Sequence, residues 1–255
     1  MGKKVVNRKQ QRNMHDMEVL LNNNIIAQME GPKRKKWSLH DLKKLQPLTD
    51  RQQDMFNSFQ NDQHIFAYGS AGTGKTLLSL YLAMCDILNK DQPQTKLIIV
   101  RSAVQGRDSG FLPGDQDEKV AIFENPYRDM MQFLFGRPSS YDDMKAAGLI
   151  TFMPTTSIRG LTWDDAYIVV DEFQNMNWME FDSVMTRVGT NTKVMICGDI
   201  HHQCDLKKNE ESASKKSINI FKQLNSFDCI QFTKDDIVRS DFVKQWIIAR
   251  EGLGY

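Results

Sequence analysis

The chain has 255 residues, 40% of them hydrophobic, enough to bury one large core or two smaller ones. No run approaches the length of a membrane span, and the polar start MGKKVVNRKQQR lacks the apolar middle of a signal peptide. Gly2 lacks the Ser or Thr at position 6 that myristoylation wants, having Val6 instead. The four cysteines, Cys85, Cys197, Cys204 and Cys229, show no framework spacing and suit a reducing compartment, so a soluble, cytoplasmic protein is expected.

The formal net charge of +1 hides an uneven distribution: residues 1–46 hold 11 Lys/Arg against 4 Asp/Glu, and the remainder 22 against 28. A basic extension over residues 1–46 and a mildly acidic body over 47–255 are therefore expected. Two readings of the arm stay open, phosphate contacts with nucleic acid or a solvated, partly disordered terminus. Within it, Met14 to Ala27 reads as weakly helical, and Gly31-Pro32 followed by KRKK reads as a linker.

Thr49 is a candidate N-cap for a short helix with Met55, Phe56 and Phe59 on its apolar face. Gln52, on that helix ahead of a glycine-rich stretch, is open to two readings. Its amide can present a donor and an acceptor to adenine, or it is an ordinary surface glutamine.

The stretch GSAGTGKT, Gly69 to Thr76, fits the phosphate-loop pattern G-x-x-x-x-G-K-[ST] without a mismatch. It follows the apolar run His64 to Tyr68 and precedes the helical pattern Leu77 to Leu88, so strand, turn and helix are expected in that order. Backbone N–H groups of Gly69, Ser70, Ala71, Gly72, Thr73 and Gly74 would then face an anion, aided by the helix dipole. Gly69, Gly72 and Gly74 permit the turn's backbone. Lys75 is expected to reach the β- and γ-phosphates of ATP, and the Thr76 hydroxyl to ligate Mg²⁺.

Strands are expected at Lys96 to Arg101, Leu149 to Met153, Tyr167 to Asp171, Lys193 to Cys197 and Cys229 to Phe232. Helices are expected at Gln116 to Phe135 and Trp178 to Val188. Several runs lack the alternation of a half-exposed strand and read as parallel strands covered on both faces, which makes the fold α/β. YIVVDE then places Asp171 and Glu172 at the carboxyl end of a buried strand, where open α/β sheets bind ligands. Asp171 is expected to hold Mg²⁺, and Glu172 to orient or deprotonate a water attacking the γ-phosphate.

KVMICGDIHHQC puts Asp199 and Gln203 past another buried strand, in reach of the γ-phosphate or its water. Cys197, His201, His202 and Cys204 invite a zinc reading, but no CxxC pair completes a site. Last, Arg239 in FTKDDIVRS precedes an amphipathic helix through Phe242, Val243, Trp246 and Ile247. It is either an arginine that neutralises transition-state charge or a structural ion-pair partner.

From Leu48 to Gly252 the chain resembles the PhoH-like family, phosphate-starvation-inducible P-loop ATPases related to the RecA-like cores of superfamily-one helicases. The resemblance rests on GSAGTGKT, VRSAVQGRDSGFLPGD (Val100 to Asp115), SIRGLTWDDAYIVVDEFQN (Ser157 to Asn175), GDIHHQCDL and DDIVRSDFV, in the family's order. It implies a single RecA-like domain with a mostly parallel sheet covered by helices on both faces. It also implies an adenine-side role for Gln52, with Gln53 the alternative register, and a catalytic role for Gln203. Gln174 resembles the glutamine that follows the acidic pair, and Arg239 the family's C-terminal arginine.

Two departures stand out. Ile200, His201 and His202 separate Asp199 from Gln203 where the family usually has two residues, so His202 competes for the sensor place. Ser240 replaces a histidine. Some members carry a nuclease-type domain ahead of the ATPase; residues 1–46 are short for one, and no nuclease activity is expected.

The resemblance thus implies Mg²⁺-dependent ATP hydrolysis coupled to single-stranded nucleic acid, RNA ahead of DNA. A homo-oligomer follows as an expectation, on the family's pattern a hexameric ring with Arg239 acting across the subunit contact. Candidate nucleic-acid contacts are the arm itself, Arg101, Arg107 and Arg159, with Trp163 or Phe111 for base stacking, each equally open to reading as a surface or core residue. The rival readings are a nucleotide-gated binding module and a small-molecule kinase.

Overall fold

A computed structural model describes residues 37–89, 91–102, 116–199 and 213–253, without the side chains of 116–119 and 215. The expected helix at Met14 to Ala27, residues 1–36 of the basic arm, Arg107, Phe111, and the segment with His201, His202, Gln203 and Cys204 lie outside the described residues. A compact unit runs from Ser38 to Tyr255.

Among the described residues six strands form one sheet: β1 (His64–Gly69), β2 (Lys96–Arg101), β3 (Ile150–Pro154), β4 (Ala166–Asp171), β5 (Lys193–Gly198) and β6 (Phe227–Phe232). Their order is β3-β2-β4-β5-β1-β6, and every pairing is parallel, as the unalternating apolar runs predict. Strand β6 starts two residues before the expected Cys229 because it pairs with β1 along its whole length, from His64–Phe227 to Gly69–Phe232.

Seven helices occur among the described residues: α1 (Asp50–Gln60), α2 (Lys75–Asn89), α3 (Gln116–Phe135), α4 (Ser140–Ala146), α5 (Trp178–Met185), α6 (Ala213–Phe221) and α7 (Asp241–Gly252). Thr49 caps α1 as expected, its hydroxyl accepting from the Gln52 N–H at 3.3 Å. Helix α5 opens on an unforeseen capping box between Asn177 and Glu180. It stops short of Val188, which forms a β-bridge with Trp163. The short α4 was not anticipated.

Helices cover both faces of the sheet. On one face Phe66, Ile98, Ile168 and Ile196 pack with Phe173 and with Phe181 of α5 and Phe221 of α6. Phe66 and Phe221 rings lie 4.7 Å apart, and Phe221 and Phe227 rings 4.5 Å apart. On the other face Phe59 of α1 stacks on Tyr167 at 5.6 Å, and the Tyr167 hydroxyl donates to Asp86 of α2 at 2.6 Å. Each fully buried aromatic of this kind contributes about 1.5–3 kcal/mol of burial free energy. The α/β expectation is met.

Trp163 is a core residue, 4% exposed. It is therefore not presented for base stacking. Helix α7 also departs from the amphipathic expectation: Ile247 is buried, whereas Phe242 and Trp246 are 75% and 63% exposed. No helix of the described residues is long and apolar enough to cross a membrane.

Candidate nucleotide site

Parallel strands all end on the same side of the sheet, and that edge is where this chain gathers its polar groups. Between the loop-bearing β1 and the acid-bearing β4 lies β5, and a cleft of about 430 Å³ opens above their carboxyl ends. Its walls come from the glycine-rich loop, the ends of β2, β4 and β5, helix α3, and the segment from Arg239 to Arg250. Such a volume suits a small-molecule ligand.

The loop has the expected backbone, with φ of +117° at Gly69, +74° at Gly72 and +86° at Gly74. At Gly69 the need for glycine is also steric, since a Cβ there would run into the Phe232 carbonyl of β6. Lys75 is 8% exposed and folds back onto the loop, its Nζ donating to the carbonyls of Gly69 (3.0 Å) and Ser70 (2.6 Å) and to Thr73 Oγ1 (3.2 Å). Burial lowers its pKa, opposed in part by Cys197, Asp199, Glu172 and Asp171. A desolvated ammonium held by neutral oxygens is poised to take anionic ones instead.

Thr76 and Asp171, far apart in sequence, meet in the cleft: Thr76 Oγ1 donates to Asp171 Oδ1 at 2.7 Å. The other carboxylate oxygen, Oδ2, accepts from Tyr127 of α3 at 2.8 Å. Asp171 is 4% exposed. A hydroxyl and a carboxylate beside a phosphate cradle are hard oxygen donors of the kind Mg²⁺ takes, with phosphates and waters completing its shell. The residues fit the metal.

Glu172 adopts φ +52°, ψ +43°, a left-handed conformation rare for a residue with a Cβ. That turn sends the chain from β4 into the short helical turn Phe173–Asn175 and leaves the Glu172 carboxylate lining the cleft. Burial raises its pKa, and Asp171 beside it raises it further; Gln174, Arg101 and Lys75 act against that rise. Gln174 donates through Nε2 to Glu172 and accepts from the Asp199 N–H at 3.0 Å, tying β4's acid to the end of β5. Gly198 makes this approach possible, because a Cβ there would strike Gln174 and the Phe173 ring.

Among the described residues three arginines line the cleft: Arg101 from β2, Arg239 and Arg250. Arg239 lies against Gly72 of its own chain, and the neighbouring Val238 N–H donates to the Gly72 carbonyl at 3.1 Å. The buried Arg250 Nε has no acceptor among the described residues. Its neighbour Glu251 accepts from the Ser70 hydroxyl at 3.1 Å, so the end of α7 touches the loop directly. Together with Lys75, these arginines set four cations beside the acids Asp171, Glu172 and Asp199 in the cleft, a mix that fits a polyanion bound with a metal cation.

Gln52 is buried, so it is not the ordinary surface glutamine of one reading. It is 2% exposed and does not line the cleft: Nε2 donates to the Thr73 carbonyl at 2.9 Å, and Oε1 accepts from the Leu48 N–H at 2.8 Å. Gln53, on the exposed side, bonds Asn57 instead. Of the two, Gln52 is the one that touches the loop, bracing it at Thr73. Arg101 stands at the cleft, although its sequence position suggested a strand contact; Arg159 is exposed.

Tyr127 was missed altogether, since nothing in a helical stretch marks one tyrosine for a carboxylate in a later strand. Cys197 is buried in β5 beside Ser79 Oγ at 3.1 Å, and burial pushes its thiol pKa up to about 12. It therefore stays a protonated core thiol.

The PhoH-like protein family profile matches residues 44–251. A PhoH-like protein of Synechocystis sp. is 34% identical over 204 residues, covering 80% of this chain and 61% of that protein. A Bacillus subtilis PhoH-like protein is 32% identical over 208 residues, covering 81% and 64%. Protein PhoH of Escherichia coli is 33% identical over 185 residues, covering 72% and 51%. The chain thus spans between half and two thirds of the length of these relatives.

Among solved structures, the large terminase of a thermophilic bacteriophage in complex with ADP aligns with TM-score 0.47 and 13% identity, covering 78% of this chain and 49% of that one. Pif1 helicase of Candida albicans aligns with TM-score 0.43 and 14% identity, covering 82% and 44%. With the family profile spanning the loop, the acidic strand end and Arg239, this chain belongs to the PhoH-like protein family.

Proposed function

We propose that this chain hydrolyses ATP with Mg²⁺ and couples the cycle to single-stranded nucleic acid, RNA ahead of DNA. The observation that carries the hydrolytic half is the bond between Thr76 and Asp171 with Glu172 set next to it in the cleft. A kinase needs no residue to prepare water; an acid beside the metal carboxylate, held by Gln174, favours water as the acceptor.

In this reading the loop N–H groups and Lys75 receive the phosphates, Lys75 exchanging the Gly69 and Ser70 carbonyls for phosphate oxygens. Thr76 and Asp171 hold Mg²⁺, which when bound neutralises charge on the β- and γ-phosphates. Glu172 accepts a proton as the water oxygen bonds to the γ-phosphorus, and the bond to the β-γ bridging oxygen breaks to release ADP and phosphate. Arg239 and Arg250 are set to meet charge on the transferring group from within the same chain. The position of Arg239 against Gly72 favours action in cis over the trans contact that a ring would supply.

The nucleic-acid half is supported by the family and by the basic composition of residues 1–46. A homo-oligomer belongs to the same proposal. Phosphate release from ATP, titrated with single-stranded RNA and DNA of equal length, tests it. Stimulation by one strand type supports coupling, and identical rates with RNA, DNA and no strand exclude it.

A further inference from the structure

We infer that Tyr127 is the positioning residue that sets the Asp171 carboxylate for its cation. The inference rests on reading the cleft as a magnesium–nucleotide site. Tyr127 is fully buried, on a helix that packs outside the strands bearing the loop and the acid. Its ring lies 5.7 Å from Phe152 of β3, and its hydroxyl meets Asp171 Oδ2 at 2.8 Å. A buried phenol needs a polar partner, and here the partner is the carboxylate on which metal binding depends.

The geometry gives the bond a consequence. A carboxylate held at one oxygen can still rotate about its Cβ–Cγ bond. Asp171 is held at both, by Thr76 at Oδ1 and Tyr127 at Oδ2. Its plane is thereby fixed, and the remaining lone pairs keep one direction. Arg101, whose charge acts on Tyr127, lines the same cleft from the end of β2, and the bonds themselves run from Tyr127 of α3 to the end of β4 and on to the first turn of α2. The adjacent Pro126, inside α3, also lines the cleft. Polar partners of this kind orient metal ligands and typically change metal affinity by about 10- to 100-fold when removed.

The alternative is that Tyr127 only anchors α3. Tyr167 offers the comparison: it is equally buried, and its hydroxyl donates to Asp86 at 2.6 Å on the face of the sheet that carries α1 and α2, away from the cleft. Binding of the fluorescent analogue mant-ATP is measured on the full chain against Mg²⁺ concentration, for wild type, Tyr127→Phe and Tyr167→Phe. The expected result is unchanged metal-free binding in all three, with the Mg²⁺ midpoint raised about tenfold only in Tyr127→Phe.

A midpoint equal to wild type in folded Tyr127→Phe, or an equal shift in Tyr167→Phe, overturns the assignment. Should Tyr127→Phe not fold, 3-fluorotyrosine at position 127 keeps the volume and the bond with a more acidic donor. It is then expected to move the midpoint about twofold, and an unmoved midpoint overturns the assignment. Failure of wild type to bind mant-ATP at any Mg²⁺ concentration would instead remove the nucleotide reading itself, and this inference with it.

Discussion

Thr76 and Asp171 are joined at 2.7 Å, although their positions differ by 95 and a whole strand, β5, lies between β1, which leads into the loop and Thr76, and β4, which bears Asp171. The bond is made because α2 starts immediately after the loop and aims its first turn at the end of β4. A phosphate cradle and a metal carboxylate thus become one site through topology. Asp171→Asn keeps the shape and removes the charge. Its expected effect is a rise of at least about tenfold in the Mg²⁺ needed for half-maximal turnover, with metal-free nucleotide binding retained. Titration of turnover with MgCl₂ checks this.

Lys75→Met should abolish ATP binding without unfolding the protein. The ammonium is buried among carbonyls, and burial lowers its pKa, so the charged form is less favoured here than in the unfolded chain. The linkage sign follows: with the folded pKa below the unfolded one, the ammonium opposes folding at neutral pH. The methionine variant is expected to melt at or above the wild-type temperature in the absence of nucleotide, and to bind ATP at least about 100-fold more weakly. Calorimetry and equilibrium binding measure the two.

Glu172 gives the pH dependence. Its pKa is raised, chiefly by burial and then by Asp171. As the proton acceptor it must be ionised, so the acidic limb of kcat should lie above the ordinary glutamate range and turnover should rise with pH through it. The same raised pKa means that its stability contribution is present at low pH and is lost as pH rises through the folded value. Glu172→Gln is therefore expected to flatten that limb and to melt slightly higher than wild type at neutral pH. A pH–rate profile paired with melting curves reads both.

The close approach at Gly198 predicts a structural failure with a catalytic sign. A Cβ at that position meets Gln174 and Phe173, so Gly198→Ala should cost about 1–3 kcal/mol of stability. It should also part Gln174 from the Asp199 N–H. Urea unfolding measures the first effect. Turnover lowered beyond that of an equally destabilised variant elsewhere in the core reveals the second.

Gln52→Ala tests the loop brace. It leaves the Thr73 carbonyl and the Leu48 N–H without their present partner, at a cost of about 1–3 kcal/mol. Gln53→Ala, on the exposed side of α1, should be nearly silent. The pair separates bracing from an adenine contact: weakened binding of ATP and of inorganic triphosphate alike indicates bracing, whereas a loss confined to ATP indicates adenine recognition.

Much of this site is legible in the sequence because its chemistry sits at chain positions with local signatures. The loop pattern names its own lysine and threonine. Asp171 and Glu172 end an apolar run, and such a run in an α/β chain ends at the ligand edge. What escapes is whatever depends on how elements meet. Tyr127 lies within an ordinary helical pattern, and only the packing of α3 brings it to Asp171. Arg101 obeys the same strand-end rule as Asp171, but its basic character suggests a nucleic-acid contact. Gln52 and Gln53 differ only in which side of α1 faces the loop. Trp163 reads as available for stacking until its bridge to Val188 places it in the core.

The most direct test of the central claim is a single-turnover assay with γ-labelled ATP and Mg²⁺, comparing wild type with Glu172→Gln. The account predicts that wild type releases labelled phosphate, and that Glu172→Gln binds ATP comparably yet holds it intact, with the rate down by about 10²–10⁴-fold. Equal phosphate release by the two proteins, or no release from a wild type that binds ATP tightly, would contradict it.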